Sequence, residues 1–142
     1  MTRLVITCVL LCLSTVSFAH EGAEGVVKER MDRFKENKKA MKAIKGSLSS
    51  DTAVIARKAS EIEAWAEEMV NFFPGGSSQP PSEALPAIWK EFDRFTDLAS
   101  ANEKAAAKLK NLAQSGADTS ALSGAFRSLG KTCKDCHNDY KE

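Results

Sequence analysis

Leu122-Ser123-Gly124-Ala125-Phe126-Arg127-Ser128-Leu129-Gly130-Lys131-Thr132-Cys133-Lys134-Asp135-Cys136-His137-Asn138-Asp139-Tyr140 is the stretch on which the reading of this chain turns. Its apolar positions, Leu122, Phe126, Leu129, Cys133, Cys136 and Tyr140, recur every three or four residues, the period of one helix face. Inside it Cys133-Lys134-Asp135-Cys136-His137 forms a C-x-x-C-H run. On a helix Cys133 and His137 are four apart and Cys136 lies three from Cys133, so both sulfurs and the imidazole leave in one direction. That spacing is the attachment signature of a c-type haem. Two thiols add to the two vinyl groups of one porphyrin, and the imidazole reaches the iron from the same side.

Other chemistries use the same pair. C-x-x-C in an exported chain can be a local disulfide or redox pair, or half of a zinc site. Zinc needs further Cys or His at recurring spacing, and the body of the chain supplies none. A thioredoxin-like pair belongs at the start of a helix, where the dipole lowers the thiol pKa. This pair sits at the far end of a helical pattern. Haem attachment is the leading expectation; a haem-free bundle with a disulfide or metal at the pair is the remote one.

Working outward, three earlier segments carry the same period. The first shows Val27, Met31, Phe34, Met41, Ile44 and Leu48; the second Ile55, Ala59, Ile62, Ala66, Met69 and Phe73. The third shows Ile88, Phe92, Phe95 and Ala99, then Ala106, Leu109 and Ala113. Ser50 or Asp51 is the expected cap of the second helix, and Asp118 or Thr119 that of the fourth. Pro74 to Pro81 marks one long loop, and Pro86 suits the first turn of the third helix. Four amphipathic segments without two-residue alternation give an all-α fold, an antiparallel up-down-up-down four-helix bundle. Trp65 and Trp89 read as core or rim aromatics, Trp89 being the better candidate for packing on the haem.

The N-terminus reads differently. Arg3, the apolar run Leu4 to Leu13 and Ser17-Phe18-Ala19 have the form of a secretory signal peptide cleaved after residue 19. The expected mature domain is residues 20–142, exported to the periplasm and free of the membrane. Cys8 and Cys12 leave with the leader; the remaining pair would both be taken by haem, so the fold must stand without a disulfide. Lys+Arg number 20 and Asp+Glu 19, a near balance that gives no case for nucleic acid.

In an up-down-up-down bundle the fourth helix ends level with the start of the first. Haem held by Cys133, Cys136 and His137 therefore faces residues around Arg30 to Phe34.

The whole mature part resembles the class II c-type cytochromes, the cytochrome c prime group and its low-spin relatives. The resemblance rests on Val27-Lys28-Glu29-Arg30, Phe72-Phe73-Pro74, Ala84-Leu85-Pro86-Ala87-Ile88-Trp89 and Gly130 to Lys141, and above all on C-x-x-C-H at the C-terminal end of four helices. It implies one covalent haem c on Cys133 and Cys136 with His137 as axial ligand. In this group a Val is followed three residues on by Arg and, four later, by the distal residue, here Val27, Arg30 and Phe34. Methionine there implies a six-coordinate low-spin carrier; leucine or phenylalanine implies five-coordinate iron open to nitric oxide or carbon monoxide. Phe34 thus implies an open but shielded sixth position. Met31, one turn earlier, and His20 are the competing ligands. Arg30 is expected on a haem propionate, and Lys141 stands where the group usually has Arg beside the imidazole, without its planar stacking surface.

The expected function is accordingly a redox-active haem protein that transfers electrons and binds NO or CO. The alternative is a low-spin electron shuttle with a Met sixth ligand, docking on redox partner proteins through small, weak interfaces. Members of the group often pair through their first two helices, so a homodimer is among the expectations. Without a distal His or acid to assist O–O cleavage, no enzymatic activity is expected.

Overall fold

The computed structural model describes residues 22–142; the expected leader and His20 lie outside them. Helix α1 (Gly25–Ser47) is followed by α2 (Thr52–Glu68), which tightens into a 3-10 turn (Met69–Phe72). After a loop come a single turn, α3 (Ala87–Lys90), then α4 (Phe92–Gln114) and α5 (Thr119–Tyr140). The four long helices make the expected antiparallel bundle. Among the described residues, no helix is long and apolar enough to cross a membrane.

Local chemistry sets the helix ends. Asp51 and Asp118, rather than Ser50 and Thr119, cap α2 and α5, each accepting a hydrogen bond from a backbone N–H three residues on (Val54, 3.0 Å; Ala121, 2.8 Å). Gly116, at φ +71°, ends α4. The Gly116 and Ala117 N–H groups then donate back to the Ala113 and Leu112 carbonyls, the paired closure that a left-handed residue permits.

The third segment departs from the expected single helix. It breaks at Glu91 (φ −126°, ψ 42°) into α3 and α4. The Trp89 indole N–H is shared between the Phe73 and Pro74 carbonyls, both at 3.0 Å, which holds α3 against the loop. The break also takes Phe92 off the buried face: it is 39% exposed.

Helices α1 and α2, α2 and α4, and α4 and α5 pack closely; α1 and α5 do not form such a pair. The interior has two parts. Away from the long loop it is aliphatic and alanine-rich, with Ile44, Ile55, Ile62, Leu109, Leu122 and Leu129 all but fully buried. Alanines 59 and 106 let the α2 and α4 backbones approach. Toward the loop it is aromatic, built from Trp65, Met69, Phe73, Ile88, Phe95 and Tyr140.

Candidate functional site

Helix α5 ends at the aromatic half. Tyr140 is buried there, its ring edge-on to Phe95 at 5.6 Å, and its hydroxyl donates to the Glu91 carboxylate at 3.2 Å. Beyond it the chain turns extended and pairs with the loop: Leu85 N–H donates to the Tyr140 carbonyl and Glu142 N–H to the Glu83 carbonyl, each at 3.0 Å. Arg94 of α4 adds an ion pair to Asp139 at 2.6 Å. The C-x-x-C-H turn is thus carried on a helix end held from both sides.

Cys133 and Cys136 have free thiols, both half-buried. Cys136 packs against the aromatic cluster. Cys133 lies against Asn102 of α4, whose amide nitrogen donates to the Thr132 hydroxyl at 2.8 Å and approaches the Cys133 sulfur at 3.6 Å. Burial pushes both thiols up, Cys133 against the opposing pull of Asn102 and Thr132, Cys136 to about 11 with Cys133 and Asp139 adding to the effect. A thiol-exchange pair needs the reverse, a lowered pKa. His137 stands at the exposed rim. Its imidazole is held below the ordinary value by partial burial first, then by the Lys141 ammonium, with Glu83 opposing. Lys141 pairs with Glu83 at 2.7 Å, so its charge stays close to the imidazole.

On α1, Phe34 and Met31 are half-buried. Phe34 packs against the same aromatic cluster as Cys136. It meets Trp65 edge-on at 5.5 Å and Phe73 at 6.5 Å.

Arg30 is buried to 2% exposure and turned toward the loop. It donates to the Phe72 carbonyl at 3.1 Å, the Ser77 hydroxyl at 2.8 Å, the Ser77 carbonyl, and the Ser82 hydroxyl at 2.6 Å. Its guanidinium also lies 4.5 Å from the Phe73 ring centre. Four of the five guanidinium N–H donors are committed to the loop, which leaves Nε for any further acceptor.

Sequence reasoning favoured Trp89 over Trp65 for packing on the haem; both lie with the aromatic cluster, and they differ in how the indole N–H is met. Trp89 is a loop anchor with a satisfied N–H. Trp65 is 3% exposed and its indole N–H has no partner, an omission that ordinarily costs about 1–3 kcal/mol. Asn102 was missed as well. Its signal was available: a polar residue on the stripe between Ala99 and Ala106.

A porphyrin fits this chemistry. Two neutral thiols and an imidazole sit on one helix end, aromatic side chains lie beside them, an unpaired indole N–H is buried in the same cluster, and the α1–α5 seam is not closed by tight backbone packing. Among the described residues no group of three or more His, Cys, Asp or Glu side chains converges as a metal cage would require.

The sequence model of the family described as Cytochrome C′ matches residues 25–141. Cytochrome c′ of Rhodospirillum rubrum is 32% identical over 99% of both chains. Cytochrome c-554 of Cereibacter sphaeroides is 41% identical over 65% of this chain and 61% of its own length. Among solved structures, cytochrome c′ of Rhodopseudomonas palustris superposes with a TM-score of 0.76 at 26% identity, covering 84% of this chain and 98% of that one.

Proposed function

The chain belongs to the cytochrome c′ family, a family of c-type haem proteins, and on that footing we propose that it is a periplasmic electron-transfer and gas-binding protein with five-coordinate iron. Cys133 and Cys136 would hold the haem through thioethers and His137 would bind its iron through the imidazole. The observation that carries the open sixth position is the packing of Phe34 from α1 and Cys136 from α5 on one aromatic cluster. A phenyl ring beside the attachment cysteines offers no lone pair to a metal. Haem bound here supplies a one-electron ferric–ferrous couple and an iron that takes a neutral diatomic such as NO or CO.

The side chains do the rest. Phe34 excludes water and bulky or anionic ligands from the α1 side. The Lys141 ammonium, held by Glu83, disfavours a second proton on the imidazole and so favours its neutral, ligating form. Arg30 fixes the loop and has Nε to offer a propionate. The exposed rim at His137 suits brief encounters with redox partners, and pairing of two copies through α1 and α2 is the expected dimer.

Spectroscopy of the purified protein tests this. The reduced protein should show a broad high-spin band that changes on adding CO, and Phe34→Met should convert it to sharp low-spin bands with CO affinity at least tenfold lower. Low-spin bands in the unaltered protein that disappear in Met31→Ala would replace this reading with a Met-ligated electron shuttle.

A further inference from the structure

Behind Phe34 stands a second ring, whose buried N–H belongs to the porphyrin's surroundings but whose bulk has so far been given no function. Trp65, on α2, meets Phe34 edge-on at 5.5 Å and is itself braced by Phe72 at 4.9 Å. The Arg33 guanidinium lies 5.6 Å from its ring centre on the α1 side. The indole is therefore gripped by groups from α1 and the 3-10 turn, while its own N–H is unpartnered at 3% exposure. A smaller apolar residue would fill a core position without stranding a buried donor. What the indole adds is a large rigid wall on the α2 side of Phe34. Phe34 is only half-buried, and any ligand approaching the iron past it must first turn it aside. Toward α2 that rotation runs into Trp65.

We propose that Trp65 is the positioning residue of the ligand-binding face, fixing the rotamer of Phe34 and so setting how fast a diatomic gas reaches the iron. Trp65 touches neither gas nor metal; it acts through Phe34. The inference rests on the reading of Phe34 as a non-ligating guard, and one double-mutant cycle separates the two.

The association rate of CO with the reduced, haem-loaded protein is measured for the wild type, Phe34→Ala, Trp65→Leu and the double variant, with haem content and helicity checked in each. Phe34→Ala should speed association at least tenfold. Trp65→Leu should speed it severalfold. The double variant should be no faster than Phe34→Ala alone, because a wall has no effect once the guard is gone. A fast Phe34→Ala with an unchanged Trp65→Leu would overturn the role of Trp65, as would effects of the two that multiply. No CO binding by the wild type, or no effect of Phe34→Ala, would instead overturn the guard itself. Trp65→Phe, which keeps an aromatic ring and removes the stranded N–H, serves where Trp65→Leu matures poorly. It should give a smaller acceleration in the same direction, and no acceleration from it would count against the wall.

Discussion

A Cys133→Ala/Cys136→Ala chain, produced in a cell able to mature c-type cytochromes, should emerge without covalent pigment and at bare-chain mass. The unaltered chain should carry the mass of one haem through acid–organic extraction. The effect is all-or-none because the described part of the chain contains no other cysteine, and no other side chain here can form a thioether with a vinyl group. Each single variant should keep one bond at reduced yield. His137→Ala should keep both bonds but show an altered spectrum, since attachment and iron ligation are separate acts of adjacent residues. Pigment that survives extraction of the double variant would remove the foundation of the functional reading.

Removing the Arg30 side chain should destabilise the fold strongly for a residue outside the hydrophobic core. Arg30→Met keeps the aliphatic bulk but abandons four hydrogen bonds to Phe72, Ser77 and Ser82. Hydrogen bonds to charged groups are individually worth about 1.5–3 kcal/mol. They are not additive, and the serines at the loop surface regain water. Burial also acts against the guanidinium, lowering its pKa. A net loss of about 3 kcal/mol in denaturant unfolding is the balance expected. Arg30→Lys should recover a minor part, because an ammonium cannot span three acceptor residues or lie flat against Phe73. A loss below about 0.5 kcal/mol for Arg30→Met, the range of ordinary surface changes, would show the clamp to be unimportant.

The four long helices, their order and the neighbourhood of their caps were legible because they depend on residues close in sequence. The period-3.6 stripes and the Asp51 and Asp118 caps are local facts, and so is the place of Cys133, Cys136 and His137 in the last turns of α5. What escaped was long-range. The acceptors of Arg30 lie more than forty residues away, and nothing in the spacing of α1 indicates that a loop will wrap its guanidinium. Trp89 and Trp65 were ranked by neighbours in sequence, whereas their roles follow from the backbone carbonyls of Phe73 and Pro74 and from the ring of Phe34. The break at Glu91 was hidden because Ile88, Phe92 and Phe95 keep helical spacing across it; the tertiary pull of Trp89 overrides the pattern.

The division of the interior into an aliphatic and an aromatic half has a bearing on biogenesis. The aliphatic end closes with atoms of the chain alone, so it can be solid in the haem-free polypeptide. The aromatic end is assembled from a long loop, a broken helix and the last turn of α5, elements far apart in sequence that side chains such as Arg30, Trp89 and Tyr140 tie together. A chain so built carries its two thiols beside the aromatic end while the opposite end keeps the helices in register, and the porphyrin becomes the final stitch in an already half-sewn seam.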